Sequence, residues 1–198
     1  ITITASTYLI IYADKIFRLV VPILSIFERK KLVEQDAVFE NKKSIILIGC
    51  HRIGQSIALG LPKDETVIID FDPEVIREVK RHGFDYVFGD ISDPEIIERV
   101  AFEDANLVIS TSPDLEDNLG LLAFIKELPK RPKVVIRAEN ERDARILYDK
   151  GADYVLLPHF TAGQYLGKTI AIDPKMSILQ QLKEKDLILM RKIARAMQ

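Results

Sequence analysis

Lys43-Ser44-Ile45-Ile46-Leu47-Ile48-Gly49-Cys50-His51-Arg52-Ile53-Gly54-Gln55-Ser56-Ile57-Ala58-Leu59-Gly60-Leu61 is the stretch that decides the fold. The apolar run from Ser44 to Ile48 reads as a buried strand. A tight glycine turn follows, and Gly54 to Leu61 begins a helix. A helix N-terminus presents unpaired backbone N–H groups and a positive dipole end, so strand, glycine turn and helix together make a site for a nucleotide phosphate. In the GxGxxG fingerprint the first glycine makes the turn, the second admits a pyrophosphate and the third lets helix pack on strand. Gly49 and Gly54 fill the first and third places, and Cys50, Arg52 and Ile53 complete the turn. His51 stands where the second glycine belongs. A side chain there either crowds a pyrophosphate or donates to a phosphate or ribose. In the second case binding follows pH near the ordinary imidazole value of about 6.5.

The next strand strengthens this reading. Thr66–Ile69 ends in Asp70-Phe71-Asp72-Pro73, and Asp70 lies 70 − 49 = 21 positions after the first glycine. The fingerprint asks for an acidic residue about 20 positions on, to accept hydrogen bonds from a ribose diol. A carboxylate there also repels a 2′-phosphate, which disfavours NADP against NAD(H) or an adenine nucleotide such as AMP, ADP or ATP. Asp72, just before Pro73, reads instead as a helix cap.

Short apolar runs and amphipathic stretches then alternate. Strands are expected at 86–88, 107–109, 134–136 and 154–156. Helices are expected at 74–81, 94–100 with Asp93 as N-cap, 114–128 and 140–150, the last stopped by Gly151. Unbroken apolar strands between amphipathic helices indicate a parallel sheet covered on both faces. The expected architecture is therefore α/β and doubly wound, with about six strands in the order 3-2-1-4-5-6. In such sheets ligands bind beyond the carboxyl ends of the strands. Asp90 and Ile91 fall there near the adenine side. Ser110, Thr111 and Ser112 fall beside the phosphates or second ribose. Arg137 is placed to neutralise a phosphate or to cross a subunit boundary. Each of these residues is equally an ordinary turn residue, and for Arg137 the plainer reading is an ion pair with Glu139 or Glu141.

Composition narrows the function classes. A net charge of −2 gives no reason to expect nucleic acid. The single Cys50 excludes an internal disulfide and a cysteine-rich metal site. His51, His82 and His159 form neither a metal-ligand spacing nor a triad, and no substrate domain follows the sheet. Cofactor binding without a chemical partner points to sensing rather than catalysis.

The two ends differ from the middle. Ile1–Tyr12 is apolar or hydroxylic, and residues 16–27 are again mostly apolar before Glu28-Arg29-Lys30-Lys31. Twelve helical residues cover roughly 18 Å, against about 30 Å for a bilayer core. Ile1–Tyr12 is therefore either the end of a spanning helix, with Arg29-Lys30-Lys31 on the cytoplasmic side, or part of an amphipathic helix packed on protein. Residues 32–43 form a charged linker. After Pro158 come two helices, 161–172 and 175–197. The second carries Ile178, Leu179, Leu182, Leu187, Ile188, Met190, Ile193 and Met197 at mostly helical spacing. It packs back on its own domain or, as favoured here, forms a dimer contact.

These motifs, in this order, resemble the RCK (TrkA-N, or KTN) domain. The similarity lies in Ile45 to Gly54, Val67 to Glu74, Gly89 to Pro94, Asp104-Ala105-Asn106, Asn118-Leu119, Arg137 to Asn140 and Gly151 to Val155. It covers residues 44 to about 170, with His51 departing from the middle glycine. The resemblance implies a Rossmann-like domain at 44–172 that binds NAD(H) or an adenine nucleotide and regulates potassium channels and transporters. It also implies a homodimer whose last helices, including an amphipathic helix at 173–198, cross to the partner. The stretch from Ser6 to Lys30 resembles the last transmembrane segment and cytoplasmic exit of Kef-like monovalent cation:proton antiporters. That implies a membrane protein with residues from about 28 onward on the cytoplasmic side, regulating its own K+ or Na+:proton transport domain. A gating domain of a potassium channel is the alternative, and an NAD-dependent oxidoreductase a more distant one.

Overall fold

A computed structural model describes residue 12 and residues 43–196. The expectations for 1–31 and for the linker before Lys43 lie outside the described residues. Six strands form one parallel sheet: β1 (Ile45–Ile48), β2 (Thr66–Asp70), β3 (Asp85–Phe88), β4 (Leu107–Ser110), β5 (Lys133–Arg137) and β6 (Tyr154–Leu156). Their order is β3-β2-β1-β4-β5-β6, as the pattern predicts. The helices are α1 (Arg52–Ala58), α2 (Pro73–Arg81), α3 (Pro94–Arg99), α4 (Leu115–Lys126), α5 (Glu141–Asp149), α6 (Pro158–Ile172) and α7 (Ser177–Ala196).

Strand alternation sorts the apolar residues onto two faces. Ile46, Ile48, Val67, Ile69, Val108, Val134 and Ile136 pack with Leu121, Leu122, Ile125, Ala144 and Leu147 of α4 and α5. Leu47, Ile68 and Ile109 pack on the other face with Ala58 of α1 and Val75 and Val79 of α2. Phe102 is wholly buried, with its ring set against Phe124 at 5.3 Å and 82°. Both halves of the crossover pattern thus carry their own layer of helices, which is what runs of Ile, Val and Leu without polar alternation require.

Helix starts follow one device. Asp72, Asp93, Asp114 and Asn140 each accept a backbone N–H from the first turn of α2, α3, α4 and α5. Each such cap is worth about 1 kcal/mol. Two helices start two or more residues earlier than the sequence reading. α1 starts at Arg52, not Gly54, because the left-handed Gly49 (φ +78°) completes the turn early and places Gly54 inside the helix. α6 starts at Pro158, not Thr161, because proline suits a first helical position. Among the described residues no helix is long and apolar enough to cross a membrane.

Candidate functional site

The glycine turn is built by exclusion of side chains. A Cβ on Gly54 would sit 2.1 Å from the Gly49 carbonyl oxygen, so only glycine lets α1 lie this close to the end of β1. A Cβ on Gly49 would sit 2.7 Å from Thr111 Oγ1, which donates to the Gly49 carbonyl at 2.9 Å. The turn is tied to both neighbouring strands: Gly49 N–H donates to the Ile69 carbonyl at 2.8 Å, and Thr111 N–H donates to the Ile48 carbonyl at 2.9 Å.

Of the five helices that follow β1 to β5, α1 alone has no side-chain cap. His51 holds its N-cap position without capping it, and His51 and Arg52 are exposed there. The N–H groups of Arg52, Ile53 and Gly54 have no acceptor among the described residues. These orphan donors and the helix dipole favour an anion at that end.

Asp70 is 7% exposed and holds the turn from beneath. Its Oδ2 accepts from the Cys50 N–H at 2.7 Å, and its Oδ1 accepts from the Asp72 N–H at 2.8 Å. Each oxygen keeps a second lone pair, so the carboxylate joins β1 to the start of α2 and still has acceptor capacity. The Cys50 N–H is committed to this bond. Burial first, and then the Asp70 charge, push the Cys50 thiol up to about 12, so it stays protonated and is not a nucleophile at neutral pH.

The other predicted site residues divide into two groups. Ser110 is buried and donates to Asn118 Oδ1 at 2.7 Å, so its hydroxyl serves the scaffold. Arg137 makes the ion pair with Glu139 that sequence allowed, at 2.7 Å, and its Nη1 reaches the Thr111 carbonyl at 3.5 Å. Its Nε is buried without a hydrogen-bond partner. Phe71 and Asp90 are exposed beyond β2 and β3, and Ile91 is half-buried against the core. The Asp90 carboxylate accepts from the Ser92 N–H at 2.9 Å. Asp117 faces this loop from α4: burial, then the Asp114 and Asp90 charges, raise its carboxyl above the usual range. No group of His, Cys, Asp and Glu among the described residues is arranged to hold a metal ion.

Asn118 is the residue that sequence reasoning undervalued. It is wholly buried on α4. Its Nδ2 donates to the Ser112 carbonyl at 2.9 Å and to the Arg137 carbonyl at 3.3 Å, while its Oδ1 receives Ser110. It ties the ends of β4 and β5 together beside the glycine turn. Beyond its place in the Asn118-Leu119 part of the resemblance, its sequence signal was an amide four residues after the cap Asp114, within an otherwise apolar helix face.

Residues 45–158 match the TrkA-N domain family. The Ktr system potassium uptake protein C of Bacillus subtilis (strain 168) is 21% identical over 150 residues, which are 74% of this chain and 67% of that protein. The TrkA-N domain of the inner membrane protein ybaL from Escherichia coli superposes with a TM-score of 0.59. It is 19% identical, and the match covers 66% of this chain and 98% of that one. The Kef C-terminal domain of Shewanella denitrificans in its AMP-bound form gives a TM-score of 0.55. It is 20% identical, with 78% of this chain and 95% of that one covered.

Proposed function

The chain belongs to the TrkA-N domain family, and we propose that it is the cytosolic nucleotide-binding regulatory domain of a membrane monovalent cation:proton antiporter carrying K+ or Na+. The observation that carries this is the glycine turn, held from below by Asp70 and open above. The turn through Gly49 and Cys50 is locked by the Asp70 carboxylate, while the N–H groups of Arg52, Ile53 and Gly54 are left for a phosphate. Asp70 takes a ribose hydroxyl on its remaining lone pairs, and its charge disfavours NADP. Phe71, Asp90 and Ile91 border the base, and Thr111 and Arg137 border the second half of the ligand. Cys50 and Ser110 shape the site from within. The nucleotide is NAD(H) or an adenine nucleotide, AMP, ADP or ATP. The AMP-bound Kef C-terminal domain supports this class of ligand.

The role is regulation of cation transport rather than catalysis, a reading supported by the similarity to a potassium uptake protein and to a Kef C-terminal domain. A second copy packs on the exposed apolar residues of α6 and α7. The chain works at the cell membrane with residues from about 28 onward on the cytoplasmic side, next to its own transport domain. Nucleotide binding biases one arrangement of the dimer, because a ligand shifts an equilibrium only by its difference in affinity for the two states.

Isothermal titration of the purified chain with NAD+, NADH, AMP, ADP and ATP tests the reading. At least one binds, and Asp70→Ala weakens it by about tenfold or more while the fold is monitored by circular dichroism. Absence of binding by all five removes the ligand from the proposal. Unchanged affinity in a folded Asp70→Ala variant removes the ribose contact.

A further inference from the structure

The glycine fingerprint asks for glycine at three places, and the reason differs at each. Gly49 has φ +78°, in the left-handed region that favours glycine. Gly54 has no room for a Cβ, which would lie 2.1 Å from the Gly49 carbonyl oxygen. At position 51 the protein's own backbone makes no such demand. His51 has φ −77° and ψ −170°, extended backbone that any residue adopts, and it is exposed. A glycine there would serve only the ligand, by letting a pyrophosphate approach the backbone. His51 is also the N-cap residue of α1, and an N-cap side chain starts within reach of the second and third N–H groups of its helix. The imidazole is thus rooted beside the Ile53 and Gly54 N–H groups and accepts from neither.

The far side of the crevice is unfavourable for a second reason. A dinucleotide crosses the point where the strand order reverses, here from β2 over the end of β1 to β4. Beyond β4 it meets the start of α4. The Glu116 and Asp117 N–H groups there already donate to the Asp114 carboxylate at 2.8 and 3.1 Å. Asp114, Glu116 and Asp117 make that turn acidic, and Arg137 at the end of β5 is paired with Glu139 at 2.7 Å. α1 therefore offers free N–H groups to one phosphate, while α4 meets a second with negative charge.

We infer that His51 is a specificity-determining residue: its side chain fills the place where a pyrophosphate would lie against the turn, so the site prefers a nucleoside monophosphate to a dinucleotide. A single terminal phosphate comes from the ribose side and stops at α1. A pyrophosphate has to pass over residue 51 to carry its second ribose toward β4. The inference rests on the nucleotide reading above and narrows it.

The test is isothermal titration of the purified chain with AMP and with NAD+, the fold being followed by circular dichroism. AMP is expected to bind at least about tenfold more tightly than NAD+. In His51→Gly that ratio is expected to fall at least about tenfold, and glycine is well tolerated at an N-cap. His51→Ala, which adds back one methyl group, is expected to shift the ratio in the same direction. His51→Phe keeps the bulk without the ring nitrogens and is expected to keep the preference. Unmodified chain that binds NAD+ as tightly as AMP overturns the inference, and so does an unchanged ratio in folded His51→Gly and His51→Ala. A preference lost in folded His51→Phe also overturns it, because selection would then come from a hydrogen bond of the ring and not from its bulk. If neither ligand binds the unmodified chain, the nucleotide reading falls and the inference falls with it.

Discussion

Val67, Ile68 and Ile69 in β2 are at most 2% exposed, whereas Tyr165, Leu166 and Ile172 in α6 stand 58%, 47% and 78% exposed. The residue types are similar but their surroundings are not. β2 lies between β1 and β3 and has helices on both faces, so its apolar surface is removed from water by its own chain. α6 leaves the sheet after the edge strand β6, and Thr169 is its one buried residue. α7 continues in the same way, with Ile178, Leu187, Ile188 and Met190 exposed. At roughly 25 cal/mol per Å2 of apolar surface, burial is the main stabilising term for either region. The sheet draws it from within, and under the proposed dimer the two helices would draw it from a second copy. The proposed nucleotide crevice belongs to the sheet and the proposed dimer contact to the two helices.

The comparison breaks first if the glycine turn is not part of the sheet's own stability. Gly54→Ala forces a Cβ to within 2.1 Å of a backbone oxygen that no side-chain rotation can move. The expected loss is about 3 kcal/mol, at the upper end for overpacking, read as a lower urea midpoint at unchanged m-value. Nucleotide binding falls with it. A variant with unaltered stability would mean that α1 sits further from β1 than the crevice requires. Asn118→Ala comes next. It leaves the Ser110 hydroxyl and the Ser112 carbonyl without their buried partner, for an expected loss of about 2 kcal/mol by the same measurement. Because Asn118 joins β4 to β5, nucleotide affinity should drop further than that of a variant on the opposite face of α4.

These two residues also mark how far the sequence was legible. Gly54 announced itself, because a glycine after a strand and five residues past another has few uses. The parallel strands were legible for the same kind of reason: four or five consecutive apolar residues need cover on both faces. Asp72 and Asp93, each before a proline, declared their helix starts. Asn118 stood out only through the resemblance and without a role, because one amide on an amphipathic helix ordinarily faces water. Only the meeting of β4 and β5 around it shows that it faces inward. Lys43 was hidden more deeply. It closed a run of charged linker residues, and its burial depends on Asp85, which lies 85 − 43 = 42 positions later. Arg137 was ambiguous for a physical reason: a guanidinium at a strand end serves a ligand or a neighbouring carboxylate, and the choice is made by where Glu139 turns.

A smaller effect sharpens the comparison from within the sheet domain. Asp117 has its carboxyl raised by burial and by the Asp114 and Asp90 charges, so the charged form is disfavoured in the folded chain. A raised carboxyl stabilises the fold most below the ordinary carboxylate value and loses that contribution as pH rises through its folded value. Asp117→Asn should therefore gain stability at pH 7, by no more than about 0.5 kcal/mol because water screens the site. The gain should vanish as pH falls below the ordinary aspartate range, where the natural side chain is also neutral. Thermal unfolding from pH 3 to 7 checks both the sign and the window. A gain that persists at pH 3 would assign the effect to packing rather than charge.

The smallest expected effect on the sheet is also the one that most directly separates the two regions. Leu166 and Ile170 lie four residues apart, on one face of α6, and both are exposed. If that face is covered by a second copy, Leu166→Glu with Ile170→Glu places two charges in an apolar contact and should shift the chain to monomer in sedimentation at micromolar concentration. The sheet does not use those side chains, so its unfolding free energy, followed through a β-sheet signal, should change by less than about 0.5 kcal/mol. The competing arrangement, in which α6 and α7 fold back on their own domain, makes the opposite forecast. There the two glutamates would desolvate against the sheet's own core and lower its stability by well over about 1 kcal/mol, while the sedimentation coefficient stayed that of the unmodified chain. The two outcomes differ in both measurements at once, because an apolar face can be covered by its own domain or by a partner, and each cover leaves a different protein when it is removed.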